Sequence, residues 1–280
     1  MQVDSNYFQP ANLKTFKNLK RTLSQRRCFI EENLALLESE VLEKMGDLPP
    51  RQISSILHAV GVKMQQCEGV RMPIRQSLLE ALERRAELIW GQFNAAEISG
   101  VLTAYGRMRC APPERLMDLL ERRAEVVAGV FTAQHVSAIM RAYAKLQRLP
   151  AESCLMALER RGEGIWREFH GNDVSSTLKA YAKLDRLPAP RMLGALLQRA
   201  EDICTEEFSM WDVADFMWSC ATLDAQPGEG VVCALERRIE EIVHDFEAIP
   251  LSNTLWAYGK LGQQPRAMAL RALGGDSSCV

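Results

Sequence analysis

The sequence lacks several features that would assign it to a common class of protein. It has no run of 18 apolar residues, which excludes a transmembrane helix. Aromatic residues make up only 7% of the 280, whereas Leu, Ala, Glu and Arg are abundant, a composition that favours helices over a β-sandwich. The formal net charge of −2 argues against a strongly basic, histone-like binder of nucleic acid. These shortages point to an all-α chain of ordinary charge.

Recognisable catalytic and metal-binding motifs are also missing. The eight cysteines form no C-x-x-C pair and no zinc-finger spacing with the four histidines. No H-E-x-x-H, G-x-S-x-G or Walker-type glycine loop occurs, and no pair of carboxylates suited to holding a metal recurs from repeat to repeat. The sequence therefore predicts no enzyme, no cofactor and no metal. The cysteines are interpreted as buried free thiols of a protein in a reducing compartment.

The dominant pattern is an internal repeat of 38 residues. The motif Leu-Glu-Arg-Arg and its degenerate copies recur with steps of 38, 38, 38 and 39 residues, beginning at Leu82, Leu120, Leu158, Leu196 and Leu235. Three further ladders keep the same period: Phe93, Phe131, Phe169, Phe208 and Phe246; Ala104, Ala142, Ala180, Ser219 and Ala257; and Pro112, Pro150, Pro188, Pro227 and Pro265. Such a period is the signature of a repeat protein.

Each repeat is predicted to form two helices joined by a turn. In the third repeat, apolar spacing of three and four residues predicts a first helix from Glu152 to about Trp166. Asn172 or Asp173 is expected to cap the second helix, and the Leu187-Pro188 step is expected to stop it. A single hairpin cannot bury its apolar stripe alone. We therefore expect an all-α solenoid of stacked helix-turn-helix hairpins.

The repeats suggest a division of the chain into four segments. We assign a basic segment to 1–30, a degenerate capping repeat and loop to 31–72, five repeats to 73–265, and a short tail to 266–280. The basic segment holds six cations and one acid, and it fits either a targeting remnant or a basic surface helix. The capping repeat is expected to leave through a long loop at Val62–Met72. The extra residue of the 39-residue step is assigned to a longer connection between Ile203 and Phe208.

The end of the second helix resembles the octotricopeptide repeat family. The best match is Leu255-Trp256-Ala257-Tyr258-Gly259-Lys260-Leu261-Gly262, and Met217–Leu223 and Leu178–Leu184 are similar. The resemblance covers about residues 74–265. It implies a protein that binds single-stranded organellar RNA, either a transcript or rRNA, and serves RNA stability, processing or translation. It also implies a chloroplast or mitochondrial location, with the chloroplast slightly favoured.

Three positions of each second helix are expected to face away from the core, and stacking would align them into columns. We name them the cation column (Arg107, Lys145, Lys183, Thr222, Lys260), the mixed column (Thr103, Arg141, Lys179, Trp218, Trp256) and the small column (Gly100, Ala138, Ser176, Asp215, Asn253). Cations track phosphates, tryptophans stack on unpaired bases, and small polar groups bond base edges. The predicted RNA-binding residues are Arg107, Arg141, Lys145, Ser176, Lys179, Lys183, Asp215, Trp218, Asn253, Trp256 and Lys260.

Each of these features also has a purely structural interpretation. Lysine at a helix C-terminus complements the helix dipole, tryptophans pack between repeats, and the small column fits a solvated edge. The second arginine of each motif is interpreted as part of an ion-pair ladder with the neighbouring glutamates, and phosphate contact is the alternative. These arginines are Arg85, Arg123, Arg161, Arg199 and Arg238. For the whole chain, the alternative to RNA binding is a protein-interaction scaffold or a structural subunit of a ribonucleoprotein complex.

Overall fold

The computed structural model describes residues 38–66 and 74–265, and within these ranges the chain is helical with no strand. The labelled helices are α1 (Pro50–Gln66), α2 (Gln76–Leu88), α3 (Ala95–Met108), α4 (Glu114–Val127), α5 (Ala133–Leu146), α6 (Glu152–Gly164), α7 (Gly171–Lys183), α8 (Pro190–Glu207), α9 (Met210–Thr222), α10 (Glu229–Ile242) and α11 (Ala248–Leu261). The expectations for the basic segment and the tail fall outside the described residues.

The chain divides into two compact units, Met1–Val127 and Ala128–Val280, and the described residues of each are built from packed helices. In the first unit α1 packs on α3 and α2 packs on α4. In the second unit α5, α7, α9 and α11 pack in succession to form one layer, and α6, α8 and α10 form the other. First helices thus stack on first helices and second helices on second helices. This is the hairpin stacking of an all-α solenoid, and the predicted fold class is confirmed.

Aromatic residues fill the space between the two layers. In each of the first four repeats, the phenylalanine that follows the first helix is fully buried. These residues are Phe93, Phe131, Phe169 and Phe208. The tyrosines of the second helices are buried as well: Tyr105, Tyr143, Tyr181 and Tyr258. Burying one such ring contributes about 1.5–3 kcal/mol, so these ladders hold a large share of the core. The last member of the phenylalanine ladder, Phe246, is only half-buried.

The second arginine of each motif ties neighbouring repeats together. Its Nε donates to the backbone carbonyl that ends the corresponding helical segment of the preceding repeat. The pairs are Arg85 to Leu48 (3.1 Å), Arg123 to Phe93 (2.8 Å), and Arg161 to Phe131, Arg199 to Phe169 and Arg238 to Phe208 (each 2.7 Å). The column is therefore structural, and two of its members also pair with a carboxylate as expected: Arg199 with Glu207 at 3.8 Å and Arg238 with Glu241 at 3.1 Å. Its recurring acceptor is a carbonyl rather than the carboxylate that the sequence suggested.

The glutamate of the motif belongs to the interior. Tyr105 on α3 donates its hydroxyl hydrogen to Glu83 on α2 at 2.8 Å, and Tyr181 on α7 donates to Glu159 on α6 at 2.9 Å. Glu83 is 9% exposed. Burial raises the pKa of Glu83 above its usual range, although the Tyr105 hydrogen bond acts in the opposite direction. Burial and the neighbouring carboxylate also raise the pKa of Tyr105 far above that of a free phenol, so the phenol remains a donor.

Proline does not end the second helices. The second helices of the five clear repeats are each followed by a residue in the left-handed region with φ between 50° and 65°, namely Arg109, Gln147, Asp185, Asp224 and Gly262. In the third repeat α7 already ends at Lys183, so Leu187-Pro188 lies beyond the turn. Left-handed backbone is normally marked by glycine, and here only one of the five residues is a glycine.

The predicted caps lie a few residues too late in the chain. Ser209 precedes α9 as its cap: its hydroxyl accepts from the Asp212 amide at 3.3 Å, and Asp212 accepts from the Ser209 amide at 3.0 Å. Asp173 likewise accepts from the His170 amide, at 3.4 Å. The aspartates therefore occupy the third helical position of a reciprocal capping arrangement rather than the cap itself.

Two predicted connections are helical instead. Residues 62–66, expected in a loop, belong to α1, because Lys63, Met64 and Gln65 are good helix formers with no proline or glycine among them. Residues 67–73 lie outside the described ranges. The extra residue before Phe208 extends α8 without a break to Glu207, whereas α6 ends at Gly164 and is followed by a 3₁₀ turn.

Replacing Arg161 with alanine tests the arginine–carbonyl link. The change leaves the Phe131 carbonyl without its donor, and we expect the free energy of unfolding to fall by about 1–3 kcal/mol. The matched control is Arg160→Ala, because Arg160 is the adjacent, exposed arginine of the same motif. The control is expected to stay within about 0.5 kcal/mol of wild type in urea denaturation. Equal losses in the two variants would contradict the assigned role.

The tyrosine–glutamate pair offers a second matched comparison. Tyr105→Phe removes the donor to the buried Glu83 and is expected to cost about 1–2 kcal/mol of unfolding free energy. Tyr258→Phe is the control, because no described residue accepts a hydrogen bond from the Tyr258 hydroxyl. We expect the control to change stability by less than about 0.5 kcal/mol in the same denaturation experiment. A cost in Tyr258→Phe as large as in Tyr105→Phe would refute the role of the hydrogen bond.

Candidate nucleic-acid interface

Six of the predicted site residues meet in one cleft of the second unit. The cleft has a volume of about 190 Å³ and lies where α5 and α7 pack together, with one residue added from α9. Its lining consists of Arg141, Ala144, Lys145, Ser176, Lys179, Ala180, Lys183 and Asp215. We call it the basic cleft.

Helical spacing explains why these side chains share one surface. Arg141 and Lys145 are four residues apart on α5, and Lys179 and Lys183 are four apart on α7, so each pair lies on one face of its helix. The opposite faces carry buried residues such as Tyr143 and Tyr181. Because the apolar faces are fixed against the core, the cations project from the other side of the layer.

The basic cleft holds four cations and one carboxylate. The carboxylate belongs to Asp215, whose Oδ1 accepts from Lys179 Nζ at 2.5 Å. The side chains of Lys179 and Asp215 are 33% and 21% exposed, so water screens this ion pair only in part. Ser176 is 9% exposed, so it does not lie on a solvated edge. Its hydroxyl group forms part of the cleft wall. The arrangement is suited to binding an anion.

Arg141 also acts on a buried acid beside the cleft. Burial raises the pKa of Asp173, whereas the hydrogen bond from the His170 amide and the positive charge of Arg141 act in the opposite direction. Asp173 sits at the start of α7, where it accepts the His170 amide. Its role is therefore structural, and it does not line the basic cleft.

Arg107 belongs to the first unit. Its Nη1 lies 2.9 Å from Nε2 of His58 on α1, and the contact is half-buried. In the same helix Gly100, in the small column, faces α1, and a Cβ there would meet the Ser54 hydroxyl unless that side chain turned away. The cation and small columns thus have packing roles in this unit.

The remaining predicted residues lie on α9 and α11 and do not line the basic cleft. Trp256 is 48% exposed and Lys260 is exposed, whereas Trp218 and Asn253 are half-buried. The two tryptophans occupy equivalent positions on helices that pack directly against each other. Their exposure leaves at least the Trp256 ring available for a ligand.

Comparison with known families adds an independent finding. The family model for the RNA-editing substrate-binding complex 6 protein matches residues 17–278. The chain belongs to this family. No curated protein matches the chain. The family match spans all of the labelled helices and every residue of the basic cleft.

Two exposed apolar residues of this RNA-editing substrate-binding complex 6 family member were missed by sequence reasoning. Trp211 is 42% exposed and Ile249 is 63% exposed, each at the second residue of its helix, α9 and α11. The available signal was an apolar side chain directly after a helix start, where polar residues are usual. This signal was hard to recognise in the sequence because Trp211 and Ile249 each lie in a helix with many other apolar residues.

Metal-binding and membrane-spanning features are not found in the described ranges of this family member. Among those residues, no group of three or more His, Cys, Asp and Glu side chains is placed to hold a metal ion. No helix in the described part of the chain is long and apolar enough to cross a membrane. The basic cleft remains the arrangement with the clearest chemical capacity.

Proposed function

We propose that this protein binds single-stranded RNA, without catalysing a reaction, as a subunit of an RNA-editing substrate-binding complex. The basic cleft carries the proposal, because four cations gathered from two helices favour a polyanion. The family supports the choice of polyanion, since its description names RNA editing and substrate binding within a complex. Binding rather than catalysis fits a surface of cations, hydroxyl groups and aromatic rings.

Single-stranded RNA suits the surface better than a duplex. Exposed rings such as Trp256 bind bases by stacking, and bases are available for this only when they are unpaired. The major groove of duplex RNA is too narrow for side chains to read. Cations next to exposed aromatic residues on one helical layer are the combination used by single-strand binders.

The finer parts of the proposal rest on the octotricopeptide resemblance. That resemblance supports an organellar transcript as the ligand and an organelle, mitochondrion or chloroplast, as the location. The family description names RNA editing and no organelle, so the slight preference for the chloroplast has no support and we drop it. A role in transcript processing, of which editing is one form, is favoured over a role in translation.

A scaffold function is the second candidate, and a separate observation favours it. Large apolar side chains are exposed in both units: Leu88 is 78% exposed, Val126 71% and Ile249 63%. Leu88 and Val126 lie in the last turns of α2 and α4, which pack on each other, and apolar groups exposed on adjacent helices mark protein contacts. A subunit of a complex needs such contacts, so scaffolding and RNA binding are compatible in one chain.

Charge reversal on the second helices tests RNA binding. We expect the variant with Lys145, Lys183 and Lys260 all changed to Glu to lose at least about tenfold in affinity for pooled short single-stranded RNAs. Wild-type binding should weaken as salt rises from 50 to 200 mM, and the salt dependence should be shallower in the variant. Fluorescence anisotropy of the purified chain measures both quantities.

The control variant carries the same change in charge elsewhere. Arg122, Arg160 and Arg237 are exposed equivalents on the first helices, and changing all three to Glu should leave RNA affinity within about twofold. Equal losses in both variants would indicate only a net-charge effect. A folded wild-type chain that binds no RNA at low salt would refute the proposal and leave the scaffold function in its place.

Neutralising Asp215 gives a prediction of opposite sign. Asp215→Asn removes the carboxylate that pairs with Lys179 and repels phosphate, so we expect RNA affinity to rise by about three- to tenfold. The slope of log affinity against log salt concentration should become steeper by up to about the amount that one additional phosphate contact contributes. Asp118→Asn, an exposed change of equal charge on α4, is the control and should not alter affinity. Weaker binding by Asp215→Asn would show that the pair itself is required.

A further inference from the structure

We propose that phosphates and bases are bound by separate parts of the second-helix surface, with Asp215 at the boundary. In this scheme the basic cleft of α5 and α7 is a phosphate site, and the tryptophans of α9 and α11 form a site for unpaired bases. The inference rests on the proposed function. It differs from the sequence-based expectation that the three columns contact RNA in the same way along the repeats.

The distribution of charge is the first observation. All four cations of the basic cleft come from α5 and α7, two from each helix. On α9 the equivalent three positions are Asp215, Trp218 and Thr222, none of them cationic, and on α11 they are Asn253, Trp256 and Lys260, with one cation. The repeats are therefore similar in fold but different in surface chemistry.

Crowding of like charge is the second observation. Arg141 and Lys145 are one helical turn apart, as are Lys179 and Lys183, and like charges at this spacing repel. The cleft contains a single carboxylate against the four cations. A bound phosphate would relieve this repulsion. The planar guanidinium of Arg141 and the hydroxyl of Ser176 provide the directed donors that phosphate oxygens accept.

Asp215 limits where the phosphates can lie. Its carboxylate closes the cleft on the α9 side, held by Lys179 at 2.5 Å. A phosphate passing across α9 would meet this carboxylate with no cation on the same helix face to offset it. The RNA backbone is thus anchored between α5 and α7 and gains no phosphate contact from α9.

The aromatic residues supply a different kind of contact beyond that boundary. Trp218 lies one turn after Asp215 on α9, and Trp256 is its equivalent on the adjoining α11. Trp256 is 48% exposed and Trp218 half-buried. Stacking on such rings requires no charge and tolerates any base. The nucleotides that leave the basic cleft therefore place their bases on this aromatic site.

The test compares a uridine 12-mer RNA with an abasic 12-mer that keeps only the ribose–phosphate backbone. Both are bound to the full-length chain in three variants: Lys145→Glu with Lys183→Glu, Trp218→Ala with Trp256→Ala, and the control Arg122→Glu with Arg160→Glu. The lysine variant should weaken both ligands at least about tenfold and flatten their salt dependence. The tryptophan variant should weaken the RNA about five- to tenfold and leave the abasic ligand within about twofold. The arginine control should change neither.

Conservative variants separate stacking from folding. Trp218→Phe with Trp256→Phe keeps aromatic faces and should retain most of the RNA affinity, with thermal unfolding used to check that every variant is folded. The inference is overturned if the tryptophan variant weakens the abasic ligand as much as the RNA, or if the lysine variant leaves the abasic ligand unaffected. In either case the proposed function survives, because the RNA still binds the wild-type chain. If wild type binds neither ligand, the proposed function fails too.

Discussion

The half-buried hydrogen bond from the second arginine of each motif to a backbone carbonyl is the contact on which the stacking of the repeats depends. A phenylalanine at the end of a first helix has its ring in the core and its carbonyl at the junction with the next repeat. An unpaired carbonyl there would cost about 1–3 kcal/mol, and the guanidinium satisfies it with a charged donor. Because the bond recurs within each unit, from Arg123 in the first and from Arg161, Arg199 and Arg238 in the second, it fixes the register of neighbouring repeats inside each unit.

That arrangement leaves the second helices free to vary on one face. The interior is filled by the motif leucines, the phenylalanine rings and the tyrosine–glutamate pairs. The outward positions of α5, α7, α9 and α11 therefore share no role in packing. The repeats use this freedom unequally. Arg141 and Lys179 are replaced at the equivalent positions of the next two repeats by Trp218 and Trp256. Family membership is consistent with a binding surface built on a constant frame.

Sequence reasoning succeeded where a pattern was both periodic and local. Spacing identified the hairpins, and alignment of the second helices brought together Arg141, Lys145, Lys179 and Lys183 as one surface. It failed where backbone conformation or a side-chain partner decided the outcome. Asp185 adopts a left-handed φ of 50° without the glycine that usually marks such a turn. A repeating arginine beside glutamates suggests ion pairs, and nothing in the sequence reveals that its partner is a carbonyl.

The pairing of Lys179 with Asp215 shows why columns of residues are an incomplete guide to a binding surface. A column treats each residue as an independent contact, and by that reasoning both residues were predicted to meet RNA. In the folded chain the lysine of α7 and the aspartate of α9 meet each other at 2.5 Å, because these helices are neighbours in one layer. Part of the positive charge is thereby offset at the edge of the basic cleft. The binding capacity of a repeat is therefore determined jointly with the repeat that follows it, and the change from cationic to aromatic surface begins at that pair.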